Sequence, residues 1–228
     1  AGGMESMTNA PHLLPKGRSG IRIGHDRVMD HMMLDGLEDA YEPGRSMGTF
    51  GEDCAAKYSF TREQQDAFAT ASVKRAQETI ANGGFKAEIT PVTVKTRAGE
   101  VQIDMDEGPN KIKLDKIPSL KAAFKKDGTI TAASSSSIND GAAAMVMMRS
   151  GTADQLGCKP LARLVAHANH AQEPNWFATA PVGAVQKVLA KAGWKAEDVD
   201  LWEVNEAFAV VPMALMADLS IPHEKVNV

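Results

Sequence analysis

Near its C-terminal end the chain passes directly from a strand pattern into a helix pattern, and this feature constrains the fold most. Val199–Val204 alternate apolar and polar residues, which predicts a strand, and Glu206–Leu219 carry apolar residues at helical spacing. Asn205 lies between the two patterns. Its amide can cap the first turn of the helix, or it can bind a ligand. The pattern alone favours the cap.

Strand and helix patterns also alternate before that point. Leu161–Ala168 predicts a strand, and Pro181 stands at the favoured first position of a helix that ends at Gly193. Such alternation predicts a layered α/β unit. A break at Gly157–Pro160 precedes it, so we expect a boundary between residues 150 and 160 that divides the chain into domains 1–157 and 158–228.

The first part of the chain carries several local signals. Thr61 and Gln64 form the capping box of a long helix that reaches Ile80. Two alternating segments, 89–95 and 101–105, predict a hairpin around Ala98–Gly99. Further expected elements are a helix over Val28–Ala40, a strand over Thr129–Ala133, and a buried helix or strand over Ala142–Met148.

Composition excludes several classes of protein. The content of 43% hydrophobic and 24% charged residues is typical of a globular domain, and a net charge of -4 argues against a nucleic-acid partner. No apolar run is long enough to cross a membrane. The six histidines lack metal-ligand spacing, so no metal is expected. Cys54 and Cys158 lie far apart, which favours a reducing, cytoplasmic compartment, and we expect both to be buried small apolar residues.

Both ends of the sequence resemble internal segments of a protein rather than natural termini. Gly2-Gly3 would ordinarily follow a strand, and the last residues, Ile221–Val228, stop where a strand pattern begins. Such ends would leave sheet edges unpaired. We therefore expect the 228 residues to be an internal part of a longer protein.

Several short motifs carry a family resemblance. AGGMES opens the chain, NAP follows at residues 9–11, NDGAAA occupies 139–144 and NEAFA occupies 205–209; MGT at 47–49, QQDAFA at 64–69 and GTITA at 128–132 lie between them in order. Over essentially its whole length the chain resembles the thiolase family. The resemblance implies a thiolase-like α/β fold of layered αβαβα halves with an inserted α+β loop domain, here about residues 8–130. Residues 1–157 would then be the C-terminal part of the N-terminal half, and 158–228 the first part of the C-terminal half.

The resemblance also implies a reaction. Thiolases condense two acetyl-CoA molecules or cleave a 3-ketoacyl-CoA through an acyl-enzyme, in fatty-acid metabolism, as dimers or tetramers; Pro11–Gly24 resembles the part that joins dimers. The thioester of coenzyme A is the substrate, so no cofactor is implied. The family's nucleophilic Cys precedes AGGMES, its His lies in Gly-His-Pro and its second Cys in Cys-x-Gly-Gly-Gly, and none of these motifs occurs here. We expect this chain alone to be inactive.

Two other functions fit parts of this pattern. A non-catalytic CoA-binding or oligomerisation module built from thiolase parts would also lack the catalytic motifs. A ketoacyl synthase shares the fold but not NEAFA, which this chain has at residues 205–209.

Site residues follow from the same resemblance. Asn205 matches the Asn that holds a water in an oxyanion hole. Ser136 and Ala132 match residues along the pantetheine arm of CoA, although the serine run 134–137 also fits a solvated loop. Lys111 is the best substitute for an Arg that relatives carry near the adenine nucleotide. The residues that match the CoA, acyl and thioester contacts, each otherwise assigned to the core, are Leu37, Met47, Phe124, Phe177, Ala207 and Phe208. Ser46 replaces a His that is frequent in acetoacetyl-specific members.

Overall fold

Two consecutive helices lie at the centre of the structure, a computed structural model that describes residues 1–228. Helix α1 (Met47–Tyr58) begins at Ser46, whose hydroxyl accepts a hydrogen bond from the Gly48 amide. Helix α2 (Arg62–Ala81) begins with the predicted capping box. The Thr61 hydroxyl accepts from the Gln64 amide at 3.2 Å, and the Gln64 carboxamide accepts from the Thr61 amide at 2.9 Å. The capping-box prediction is confirmed.

The remaining helices pack around this pair or lie at the surface. Helix α5 (Ala180–Ala192) carries Pro181 in its first turn and ends at Gly193 with φ +70°, as predicted. Helix α6 (Val210–Leu219) is buried along most of its length. Two short helices, α3 (Gly108–Lys111) and α4 (Ser150–Gln155), lie nearer the surface. None of the helices is long and apolar enough to cross a membrane.

The strands pair only in twos. Antiparallel partners are β1 (Gly2–Glu5) with β6 (Gly141–Ala144), β2 (His12–Leu13) with β3 (Met29–Asp30), and β4 (Val92–Thr96) with β5 (Gly99–Ile103). The last pair is the predicted hairpin, with Thr96 opposite Gly99 at its turn. The strand at 141–144 resolves the choice between helix and strand for that segment.

Helix α6 joins the two main parts of the core. Val210, Val211 and Ala214 pack with α1 residues Cys54 and Ala55. Leu215 belongs to a second cluster that contains Val182 of α5, Trp202, Ile221 and Val226. Because one helix contributes to both clusters, the segment that leads into it is anchored on two sides.

A buried carboxylate fixes the loop before the serine run to α1. Glu52 accepts hydrogen bonds from the amides of Thr129 and Ile130, each at 2.9 Å, and from the Thr129 hydroxyl at 3.0 Å. Gln65 of α2 also donates to that hydroxyl, at 2.8 Å. Three donors satisfy the Glu52 carboxylate, which removes the penalty of burying it.

Several expected strands are absent, and those predictions were wrong. Val199–Val204 forms one parallel bridge, between Trp202 and Val226, and Leu161–Ala168 forms no strand. Neither segment has a full partner strand within the 228 residues, and a strand needs such a partner for its backbone hydrogen bonds. Thr129–Ala133 instead bends into a 3₁₀ turn at Ala132–Ser134, because the Thr131 and Ser134 side chains bond the backbone locally.

The predicted helix over Val28–Ala40 is too long at both ends. Met29–Asp30 form β3, and the helical residues are 31–37, of which Met33–Leu37 make a π-helical turn. The Asp30 carboxylate accepts from the Met32 amide at 2.9 Å, as an N-cap residue does at the start of a helix.

Much apolar surface has no partner within this chain. The accessible surface is 16379 Å², whereas a compact monomer of this mass exposes about 10,000 Å². The most exposed apolar side chains include Val146, Leu161 and Leu164. Leu161 and Leu164 lie in a segment that has no partner strand, and Val146 follows β6, which has a partner on one edge only.

Candidate active site

The NEAFA segment is joined to the serine run by backbone pairing. Ser135 and Phe208 form an antiparallel bridge. The Ser136 amide donates to the Ala207 carbonyl at 3.0 Å, and the Ala209 amide donates to the Ser134 carbonyl at 2.9 Å. Ser136 and Ala207, seventy-one positions apart in sequence, are thereby held side by side.

Apolar side chains form a wall beside this pairing. The ring of Phe124 meets the ring of Phe208 edge to face, with centroids 5.7 Å apart. Helix α1 approaches the wall through Gly48, since a Cβ added there would overlap the Phe124 ring. Met47, half-buried, is the residue before it. Phe177 meets Phe50 edge to face at 6.0 Å and packs against the same cluster. We call Met47, Phe124, Phe177, Ala207 and Phe208 the aromatic wall.

Asn205 does not cap a helix. Helix α6 begins five residues later, with Ala209 at its N-cap position and no side-chain capping bond. The expected helix over Glu206–Leu219 is therefore too long at its start, and the capping alternative for Asn205 is wrong. The side chain is exposed, and the hydrogen bonds of this region go to its neighbours Val204 and Glu206. Its amide is free to bind a ligand.

The other predicted site residues lie in elements outside the aromatic wall. Ala132 is exposed in the 3₁₀ turn that leads into the serine run. Leu37 ends the π-helical turn, and the next residue, Glu38, pairs with Ser46 at the start of α1. Lys111 lies on α3 beside Gln77 of α2, and its ammonium pairs with Glu107 at 2.7 Å. No hydrogen bond or ion pair joins Lys111 to the wall.

The two cysteines differ. Cys54 is buried in the core, and burial raises the pKa of its thiol to about 11, so it stays protonated at neutral pH. Cys158 is exposed, so the expectation that both are buried is wrong for Cys158. It follows the turn at Gly157, whose φ is +65°, and the pattern of apolar neighbours did not reveal that exposure.

The ionisable groups near the wall do not form a metal site. No group of three or more His, Cys, Asp or Glu side chains converges in the chain. His223 lies against Phe68, with ring centroids 5.1 Å apart. Burial, and then the Arg75 cation, lower the pKa of His223, which keeps its imidazole neutral at pH 7.

Sequence reasoning missed the side chains that hold the residues on either side of Asn205. Asn227 bonds the backbone of Val204 and the carboxylate of Glu206, and Ser72 of α2 bonds the same carboxylate. One signal was present in the sequence: an Asn between two valines, which is a residue type that tolerates the left-handed backbone found there.

Family models match almost the whole chain. One described as "Thiolase, N-terminal domain" covers residues 1–151, and one described as "Thiolase, C-terminal domain" covers 158–228. A probable acetyl-CoA acetyltransferase of Dictyostelium discoideum is 47% identical over all of this chain and 55% of its own length. An acetyl-CoA acetyltransferase of Schizosaccharomyces pombe is 44% identical over all of this chain and 58% of its own length. The chain thus spans just over half the length of these relatives.

Solved structures of acetyl-CoA acetyltransferases also resemble this chain. An acetyl-CoA acetyltransferase from Syntrophomonas wolfei superposes with a TM-score of 0.91 at 40% identity, over 99% of this chain and 58% of that one. The acetyl-CoA acetyltransferase of Bacillus anthracis gives 0.90 at 36% identity, over 98% and 57%. The expected fold, a mixed α/β architecture like that of these enzymes, is confirmed.

Proposed function

The chain belongs to the thiolase family, and we propose that it is part of a thiolase-type acyltransferase. This enzyme condenses two acetyl-CoA molecules to acetoacetyl-CoA or cleaves a 3-ketoacyl-CoA with CoA. The names of the relatives, acetyl-CoA acetyltransferases, support this reaction. The observation in the structure that carries the proposal is the Asn205 amide. It is exposed, it caps no helix, and it stands in the segment that is paired with the serine run.

Each part of the site has a task in this reaction. The Asn205 amide donates a hydrogen bond, through a water, toward the thioester oxygen on which negative charge develops. A neutral amide does so without a change of its own charge. The aromatic wall takes the apolar acyl and thioester portion, while Ser136 and Ala132 lie along the narrow pantetheine arm. Leu37 contributes apolar contact, and Lys111 faces the nucleotide end.

The chain does not contain the groups that form and break the acyl-enzyme. Cys54 cannot be the nucleophile, because its thiol is buried and protonated at neutral pH. Cys158 lies in no matching motif. In this proposal the 228 residues supply the oxyanion donor and the binding surface, and residues outside them supply nucleophile and base.

We also propose the setting in which the enzyme works. Its substrates are acyl-CoA thioesters in fatty-acid metabolism, and it needs no metal or organic cofactor, since CoA itself carries the acyl group. Two unpaired cysteines support a cytoplasmic location. The Pro11–Gly24 loop, which is exposed apart from Leu13, supports a homo-oligomer, a dimer or tetramer.

The test is a chimera in which this chain replaces the matching segment of the Dictyostelium discoideum relative, which then supplies the rest of the fold. The chimera should cleave acetoacetyl-CoA in the presence of CoA. Asn205→Asp places a negative charge where negative charge develops, and loss of one such donor lowers kcat by about 10²–10³. The control is Asn82→Asp, the same charge change at the exposed end of α2.

Two results would contradict the proposal. Near-normal kcat in Asn205→Asp would remove the oxyanion role. A chimera that folds and binds CoA but shows no turnover would support the alternative, a non-catalytic CoA-binding module.

A further inference from the structure

Both residues that flank Asn205 are held by side chains from distant parts of the chain. On one side, the Val204 amide donates to Asn227 Oδ1 at 2.7 Å, and Asn227 Nδ2 donates to the Val204 carbonyl at 2.8 Å. On the other, the Glu206 carbonyl accepts from the Ser136 hydroxyl at 2.8 Å. Of Val204, Asn205 and Glu206, only Asn205 has polar groups that face the solvent.

Both N–H groups of the Asn227 side-chain amide donate hydrogen bonds within the protein. Besides its bonds to Val204, Nδ2 donates to Glu206 Oε1 at 2.7 Å. The side chain thus pairs with Val204 as the backbone of a neighbouring strand would. Asn227 adopts a left-handed conformation, with φ 51°, and its own amide donates to the Trp202 carbonyl at 2.8 Å. Asn is one of the few residues that accept this backbone conformation.

Helix α2 fixes the other end of this arrangement. The Ser72 hydroxyl donates to Glu206 Oε2 at 2.7 Å. One turn further on, the Arg75 guanidinium donates to the Val226 carbonyl at 2.7 Å and to the Asn227 carbonyl at 3.2 Å. Both carboxylate oxygens of Glu206 are bonded, and the backbone of Asn227 is tied to the same helix that holds Glu206.

From this geometry we propose that Asn227 and Glu206 are positioning residues, which set the direction of the Asn205 amide for the acyl-transfer reaction. The proposal rests on the proposed function. Residues 205–209 precede α6 and belong to no regular element beyond one bridge, so secondary structure does not orient Asn205. An oxyanion donor must be aligned before the reaction starts. The Asn227–Glu206–Ser72 bonds provide that alignment.

The decisive variant is Asn227→Asp in the chimera. It keeps the shape and the acceptor for the Val204 amide, but it turns the donor Nδ2 into an oxygen that faces the Val204 carbonyl and the Glu206 carboxylate. We expect kcat to fall about tenfold or more while KM for CoA stays within about twofold, as for loss of alignment in the transition state alone. Adding Glu206→Gln restores a donor toward position 227 and should recover part of kcat, at least about threefold.

A purely structural role would give a different result. Asn227→Asp would then lower the melting temperature while kcat per folded enzyme stayed within twofold, and Glu206→Gln would not raise kcat. Ser72→Ala is the milder variant if Asn227→Asp folds poorly. It removes one bond to Glu206 and should lower kcat about threefold without a change in KM; an unchanged kcat would overturn the proposal.

A separate measurement keeps the inference testable if Asn205→Asp itself has no effect and the proposed function fails. Asn227→Gly keeps the left-handed backbone and removes every bond of the side chain. Hydrogen exchange at the Val204 amide should then rise about tenfold or more relative to the unsubstituted chimera, with α6 unchanged. An unchanged rate at Val204 would show that Asn227 does not hold this segment.

Discussion

Gly48→Ala should disturb the aromatic wall with little effect on the fold. A Cβ at position 48 would lie less than 3.0 Å from three ring carbons of Phe124. Carbon atoms pack at about 3.5–4.0 Å, so the ring must retreat by about 1.2 Å or more. Overpacking of this kind costs about 1–3 kcal/mol, and Ala in a helix returns up to about 1 kcal/mol relative to Gly. The free energy of unfolding should therefore fall by about 0–3 kcal/mol.

Ligand binding should weaken as well. Phe124 is half-buried and the Phe208 ring that it contacts is buried, so the easiest movement carries Phe124 outward, into the proposed CoA site. Loss of about 1 kcal/mol of ligand contact corresponds to about a fivefold weaker affinity. In the chimera with the Dictyostelium discoideum segment, KM for CoA in the cleavage of acetoacetyl-CoA should rise about fivefold, with kcat little changed.

Gly151→Ala is the matched control. Gly151 is also the second residue of a helix, α4, and a Cβ there meets no atom within 4 Å. It should leave KM unchanged and keep or slightly raise the melting temperature. An unchanged KM in Gly48→Ala, together with a melting temperature equal to that of Gly151→Ala, would refute both the close approach of α1 to Phe124 and the place of Phe124 in the CoA site.

Other expectations concern the serine run, the isolated chain and the thiols. Ser136→Val in the chimera should raise KM for CoA about threefold with a small change in melting temperature, because water can replace its bond to the exposed Glu206 carbonyl; unchanged KM values for this variant and for Phe124→Ala would return residues 134–137 to a solvated loop. The 228-residue chain alone should not cleave acetoacetyl-CoA, and turnover that is abolished by alkylating Cys54 or Cys158 would contradict the assignment of both thiols. At pH 8 a thiol reagent should modify Cys158 rapidly and Cys54 only after denaturation, since burial keeps the Cys54 pKa near 11; equal labelling rates would show that the core around Cys54 opens readily.

Elements whose determinants are local could be predicted from the sequence. The capping box at Thr61, the start of α5 at Pro181 and its end at Gly193 were all read from neighbouring residues, as was the hairpin turn at Ala98–Gly99. In each case the residues that fix the backbone lie within one turn of one another.

Strands depended on partners that the local pattern does not contain. Leu161–Ala168 is mostly apolar, as a buried strand is, yet no neighbouring strand in the chain supplies its hydrogen bonds. Val199–Val204 has one neighbour, the segment around Val226, and forms a single bridge. An apolar segment becomes a strand only when another backbone lies beside it.

The candidate site could be predicted only from the family resemblance. Ser136, Phe124 and Phe208 are far apart in sequence, and no periodicity relates them, so only the family resemblance could group them. The structure brings these three together through the bridge at Ser135 and the ring contact of Phe124 with Phe208. Lys111 was predicted only as the best substitute for an Arg of the relatives, and it stays a prediction.

Asn205 shows how the structure changes an interpretation that the sequence pattern alone favours. Read as a cap, it should bond the first amides of a helix, yet α6 begins beyond its reach. Its neighbours Val204 and Glu206 are held by short bonds of 2.7–2.8 Å, while its own amide faces outward. These bonds stabilise the backbone on both sides of Asn205. The structure therefore presents Asn205 as an exposed amide on a fixed backbone, which is the arrangement that the proposed oxyanion role requires.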